Sequence, residues 1–444
     1  MPNTGGDKRS EKGHLLRVLG VAFGLAAVVG SMVGQGILRT PGMVASAVPS
    51  PVMMTLCWLL GGLFAAAGAF AYIEMGAAMP SAGGPSDYAE RAFGKLAGEI
   101  TGWALFVAMI ASAAGVNFVI GEFVVRLGVL PGLPPFVPAL VALALFALVN
   151  LSGTKVSGST QIVFSAVKGA VLVAIMVALF MHRGEAGEPV VAPVSAAGPL
   201  SLAGFAFAMR LIVSTYNGWQ DIALYCEELE RPERALPRSL FGGLAAVTAL
   251  YVLFNLALLN VLTPAQMAKS DLPAADAIAV LIGKVAGTAL TIFGVFSVAA
   301  ITSLMVMSTT RIAFSLARAG LLPTPLAQVA LNGTPRKALA LVVLLMAGFI
   351  ATGTYNSLSS TATALYQVIV VIVLLAAISL RRSAPNLPRP YRMPWFPLTM
   401  TVALAVNGGL LVAFIYDDPF NALLGVAIVA AMTLGWFLVR DRRA

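Results

Sequence analysis

Apolar stretches long enough to cross a bilayer recur from Leu15 almost to the C-terminus. A membrane-spanning helix needs roughly 20 such residues, so this repetition sets the class before any motif is considered. The 444-residue chain is 59% hydrophobic and only 11% charged, too little charge to coat a water-facing surface. Its apolar runs are continuous, whereas membrane β-barrel strands alternate apolar and polar residues. In lipid, helices are then the remaining way to satisfy the backbone. The expected fold is therefore all-α and integral to the membrane, with about twelve transmembrane helices.

Spans are expected near 15–39, 52–79, 95–126, 133–151, 159–182, 200–227, 239–262, 278–317, 337–354, 360–380, 396–416 and 419–439. The long run at 278–317 reads as one tilted helix continuing beyond the bilayer. Residues 1–14 form a polar tail without the apolar core of a cleavable signal peptide. Residues 183–199 read as a polar loop on the outer side, 381–395 as an Arg- and Pro-rich inner loop, 396–439 as a final pair of spans, and 440–444 as a C-terminal tail.

Charge sets the orientation. With the N-terminus inside, one set of loops carries twenty Lys and Arg residues and the other only Arg39, Arg126, Arg183 and Lys269. The positive-inside rule then puts both termini in the cytoplasm of a multi-pass protein of the cytoplasmic (inner) membrane. The net charge of +9 is a topology signal, and no nucleic-acid partner is expected. Cys57 and Cys226 fall in or beside apolar segments and suggest neither a disulfide framework nor a metal site. His14 and His182 lack metal-ligand spacing. No metal and no cofactor are expected, and the sequence leaves the oligomeric state open.

Two apolar stretches contain glycines and polar residues where a helix interior should lie. One is Gly30-Ser31-Met32-Val33-Gly34-Gln35-Gly36, and the other is Ser214-Thr215-Tyr216-Asn217-Gly218-Trp219. Glycine disfavours a helix interior by about 1 kcal/mol relative to alanine. Two readings follow. Small residues let helices pack closely. Alternatively the helices break, which is tolerated in a membrane where the freed backbone lines a cavity and binds a solute. The breaks fall in the first and sixth spans, and an odd offset of five inverts the two units, as in carriers built on inverted repeats. No histidine lies within a span and no HExxH or GxSxG motif occurs, which speaks against a membrane-embedded enzyme. Broken full spans also suit a carrier better than a channel filter.

The first break, GSMVGQGILRTPG, resembles the G-x-x-[IV]-G-x-G-[IV]-F-x-x-P-G pattern of the amino acid–polyamine–organocation (APC) superfamily, with Leu38 where Phe is usual. FAYIE at 70–74 with PSAGG at 80–84, Tyr88 with Gly102-Trp103, EELERPERALPR at 227–238, and Arg311 through Pro323 are similar to further motifs of its amino acid permeases, in order. The resemblance implies a LeuT-type fold with 5+5 inverted repeats, spans 1–5 within 15–182 and spans 6–10 within 200–380. It implies sodium-independent amino acid transport by alternating access, by proton-coupled symport or exchange, with a polyamine or other organic amine carrier as the alternative. By carry-over, the substrate carboxylate would meet N–H groups around Gly34, Gln35 and Gly36. The ammonium group would meet carbonyls near Ser31, Met32, Ser214, Thr215 and Asn217. Ser214 stands where related exchangers often place an aromatic gate, so either the pocket is roomier or Tyr216, Trp219 or another span supplies the gate. Small or neutral amino acids are the expected substrates, because no acid pair awaits a cationic side chain.

Lys168 sits in mid-span, where a charge costs about 2.5–3.5 kcal/mol. The resemblance implies that its ammonium replaces the sodium ion of coupled relatives, between spans 1, 5 and 8, with Ser308 and Thr309 as neighbours. It then either carries a coupling proton or tethers the spans as a fixed charge. Arg210 faces a substrate, snorkels outward, or pairs with Glu122. Glu74, Asp221, Glu227 and Glu228 are expected in salt bridges of an inner gate, with substrate binding as the alternative.

Overall fold

The computed structural model describes residues 15–34, 36–48, 50–128, 132–182, 201–270, 272–352 and 355–440. The expectations for the N-terminal tail, the loop at 183–199, Gln35 and the last residues of the C-terminal tail lie outside them. In chain order the α-helices are α1 (Val21–Met32), α2 (Gly36–Ala47), α3 (Pro51–Ala78), α4 (Pro85–Phe93), α5 (Lys95–Arg126), α6 (Phe136–Leu151), α7 (Thr154–Met181) and α8 (Leu202–Thr215). A 3-10 segment at Trp219–Tyr225 leads to α9 (Pro232–Leu259), α10 (Pro264–Ala268), α11 (Pro273–Ile282), α12 (Ala286–Arg318), α13 (Arg336–Thr352), α14 (Tyr355–Ser383), α15 (Phe396–Asp417) and α16 (Pro419–Arg440). Eight described helices are long and apolar enough to cross a membrane, and α1 with α2 makes a ninth if that bent pair is one span.

Local chemistry starts and stops these helices. Proline opens α3, α4, α9, α10 and α11, where its missing N–H is no loss. Ser201 caps α8 by accepting from Gly204 N at 3.0 Å. Thr263 and Gln266 form a reciprocal capping box on α10.

The apolar run at 278–317 is not one helix. It divides between α11 and α12 at a 3-10 turn where Gly283 takes φ 65°. Hydropathy is blind to this left-handed backbone, which glycine adopts freely. The pair α10 and α11 packs on α2 instead of extending α12.

Helix α7 shows what its surroundings demand. Its buried face carries Ser157, Gln161, Ser165, Lys168 and Leu172, while Val163, Val167, Val173 and Val177 lie exposed. A soluble helix turns its polar face to the solvent. This helix does the reverse, as a lipid-facing helix must.

Helix α5 is the central post, packing on α4, α6, α12, α13, α14 and α16. Gly121 brings it against the Pro135 carbonyl that precedes α6, where an added Cβ would overlap a backbone atom. Gly121→Ala is therefore expected to destabilise the protein by about 1–3 kcal/mol through overpacking. A thermal midpoint in detergent equal to that of the native chain would refute this.

Candidate functional site

Both glycine-containing stretches are breaks. Helix α1 ends at Met32, Val33 is extended with φ −75° and ψ 99°, and α2 resumes at Gly36 with its axis turned by 46°. Helix α8 ends at Thr215, and Gly218 takes φ 111° before the 3-10 segment begins at Trp219. A side chain there would be strained and would also press on Ser31. The packing reading holds in part: Gly30 lets α7 approach through Gln161 and Ser165.

The two breaks are tied together. Ser31 Oγ lies 3.0 Å from the Gly218 carbonyl, to which it donates. The hydroxyls of Thr40 and Thr215 pair at 3.0 Å. Tyr251 of α9 reaches the carbonyls of Met32 at 2.8 Å and Thr215 at 3.2 Å.

A cavity of about 770 Å³ opens where the breaks meet. Of the expected binding residues, Ser31, Met32, Gly34, Gly36, Ser214, Thr215 and Asn217 line it. The first N–H groups of α2, at Gly36 and beyond, have no partner one turn earlier in the helix, and the dipole there favours an anion. The lining continues along Arg39, Met43 and Ser46 of α2 and Phe207 of α8 to Ala268 and Ser270.

Tyr216 and Trp219 do not line it. Tyr216 is buried against α3, donating to the Trp58 carbonyl at 2.9 Å. Trp219 packs edge-on against Tyr72 with ring centroids 5.0 Å apart. The aromatic side chains on the wall are Phe207 and Tyr366. Phe207 lies two turns before Ser214, a spacing that puts both on one face of α8 and that the sequence could have supplied. Arg210 stacks over the Phe207 ring at 5.5 Å and is not a wall residue.

Lys168 is fully buried, and its ammonium bridges three helices. It donates to the carbonyls of Gly30 at 2.9 Å, Val33, and Ser297 of α12 at 3.2 Å. The expected neighbours on α12 are corrected here, because Ser297 lies about three turns before Ser308. Ser308 instead pairs with the Tyr225 hydroxyl at 2.6 Å, and Thr309 donates to the Met305 carbonyl. Depth along a long helix does not follow from residue type.

The opposite end of the bundle is closed. Glu227 receives both Arg318 nitrogens at 2.9 Å and the Ala82 N–H at 3.2 Å. Glu228 pairs with Arg311 at 2.7 and 3.0 Å, and its carbonyl accepts from Val18 and Leu19. Glu74 accepts from Arg381 Nε at 2.9 Å and the Met393 N–H at 2.7 Å. Three of the four acids expected in such bridges are therefore in them. The fourth, Asp221, lines the cavity.

Comparison with known proteins agrees with this geometry. The profile of a family described as amino acid permease matches residues 19–438. The chain is 26% identical to a serine/threonine exchanger of Bacillus subtilis (strain 168) over 98% of its own length and 99% of the relative's. It is 27% identical to the human large neutral amino acids transporter small subunit 2, covering 96% of this chain and 80% of that one. Identity to the mouse Asc-type amino acid transporter 1 is 26%, covering 95% and 80%. With its row of apolar helices and a profile match across nearly the whole length, the chain is a multi-pass membrane protein of the amino acid permease family in the APC superfamily.

Proposed function

We propose that this protein is a sodium-independent secondary carrier that moves small, neutral amino acids across the cytoplasmic membrane by alternating access, through proton-coupled symport or exchange. The observation that carries the reading is the cavity at the junction of two broken helices, with Gly34 and Gly36 on one wall and Ser214, Thr215 and Asn217 on the other. A zwitterion needs an anion site and a cation site close together. A helix N-terminus supplies the first, and groups around the second break supply the other. The names of the relatives, all amino acid carriers, support the substrate class.

In this reading the chain has twelve spans in a LeuT-type arrangement. Spans 1–5 lie in 15–182, spans 6–10 in 200–380, and a further pair in 396–439. The closed end carries Arg318, Arg381 and Arg389, which supports a cytoplasmic assignment for that end and for both termini. The cavity then opens outward, with the inner gate shut. Lys168 couples to the break directly. A protonated amine has three N–H groups for its three carbonyl partners, and a neutral amine has two. Loss of a proton thus frees one of the carbonyls that shape the α1 break. A carrier of organic amines is the second reading, favoured by Asp221 in the wall.

Uptake of radiolabelled amino acids into proteoliposomes, with and without an inward proton gradient, tests the proposal. Symport predicts uptake that rises with the gradient. Exchange predicts uptake that depends on amino acid trapped inside. Folded protein that takes up no amino acid under either condition would overturn the reading.

A further inference from the structure

Asp221 lies in the 3-10 segment that follows Gly218, and it lines the cavity. It is 5% exposed. Its carboxylate has no hydrogen bond or ion pair among the described residues. Glu74, Glu227 and Glu228, at the closed end, each hold an arginine. The phenols of Tyr72, Tyr225 and Tyr366 are near enough to interact with Asp221 electrostatically, but none of them brings a positive charge. A buried carboxylate without a counter-ion is strongly destabilising. Such a group stays ionised where a cation completes the site, and otherwise takes up a proton.

Several backbone carbonyls around the breaks already accept a hydrogen bond from a side chain. The carbonyls of Gly30 and Val33 accept from Lys168. Those of Met32 and Thr215 accept from Tyr251, and that of Gly218 accepts from Ser31. An ammonium group entering the cavity finds each of these carbonyls with at least one of its two lone pairs in use, and a carboxylate with no partner among the described residues. Charge-assisted N–H···O bonds are also about twice as strong as neutral ones. Arg39 is a basic wall residue, and it interacts with Glu122.

We propose that Asp221 is the counter-ion for an ammonium group of the carried solute. The inference rests on the cavity being the transport site. It differs from recognition by backbone carbonyls alone, because it makes binding depend on one side-chain charge. The ammonium is either the α-amino group of a monoamino acid or the distal amine of a diamino compound.

The test is equilibrium binding by the purified full chain, with L-alanine, L-ornithine, putrescine and L-lactate as probes. Lactate replaces the ammonium of alanine by a hydroxyl. Asp221→Asn is expected to weaken binding of the ammonium-bearing probes by roughly thirtyfold or more, as loss of one partner of a buried charge pair does. Asp221→Glu is expected to stay within about tenfold of the native chain. A loss that includes alanine assigns Asp221 to the α-amino group, and one confined to ornithine and putrescine assigns it to a distal amine. Affinities within about threefold of native for every probe in Asp221→Asn would overturn the inference and leave the carrier reading intact. A native chain that binds none of the four would overturn both. Carbodiimide labelling of Asp221 in the native protein needs no variant. Alanine, ornithine or putrescine should protect the carboxyl and lactate should not, and equal labelling with all four would refute the inference.

Discussion

Uptake by reconstituted protein is expected to fall about a hundredfold or more when Lys168 is replaced by methionine, because the replacement strands several buried acceptors. The native ammonium serves the carbonyls of Gly30, Val33 and Ser297. Methionine has similar length and no donor. Each buried acceptor left unsatisfied costs about 1–3 kcal/mol, and two of the three belong to the broken stretch of α1. The backbone of the break should relax away from the geometry that lines the cavity. Both binding and thermal stability should drop, and the thermal midpoint should fall with uptake.

Lys168→Arg separates the two roles open to this residue. Arginine keeps a fixed charge and several donors but does not deprotonate in proteins. If Lys168 carries the coupling proton, the arginine variant should show no response of uptake to a proton gradient, whatever uptake remains. If Lys168 only tethers α1, α7 and α12, the variant should keep the native response to the gradient at reduced rate. Native-level uptake by Lys168→Met would assign neither role and reduce the lysine to packing.

What the sequence conveyed about Lys168, and what it did not, follows from physics. A charge in the middle of an apolar span announces that it has partners. Its depth against α12 depends on how far that helix slides along α7, and no local residue pattern encodes that slide. Residue type therefore points to Ser308 and Thr309 and gives no sign of Ser297. The breaks themselves were legible, because glycine and polar residues inside an apolar run conflict with helix propensity. The direction of their side chains was not: the end of α8 puts Tyr216, and the turn at Gly218 puts Trp219, into the packing around α3. The separation of α11 from α12 was hidden for a related reason. The turn at Gly283 lies within an apolar run, and the single charge beside it, Lys284, is too little to end that run by hydropathy. Proximity in the chain groups Asp221 with the acids of the closed end, because it stands six residues before Glu227. The 3-10 segment carries the chain from the cavity to the closed end over that short distance.

The buried pair of Glu228 and Arg311 should give the largest loss of stability. Their side chains are 0% and 2% exposed, and Arg311 also reaches the Thr154 hydroxyl at 3.0 Å and the Met307 carbonyl at 3.3 Å. Removing one partner of a buried pair leaves an uncompensated charge and costs about 3–5 kcal/mol. Glu228→Gln and Arg311→Met should therefore each lower the thermal midpoint sharply in detergent. Replacing both charges by apolar residues removes the stranded charge as well as the attraction, so Glu228→Leu with Arg311→Met should recover much of what either single change loses. The neighbouring Glu227 and Arg318 pair supplies the internal comparison. Arg318 is 34% exposed, and water screens such a pair to about 1 kcal/mol or less. Arg318→Ala should barely move the midpoint. It should nevertheless loosen the closed end, because Glu227 also holds the Ala82 N–H, and a cysteine introduced at Ala82 should react faster with a membrane-impermeant thiol reagent. Equal midpoint losses for Arg311→Met and Arg318→Ala would mean that water reaches both pairs alike and that the closed end is not sealed at the depth of Glu228. Unequal losses with faster labelling would separate the two layers. The inner pair then holds the helices together, and the outer pair restrains the opening that alternating access requires.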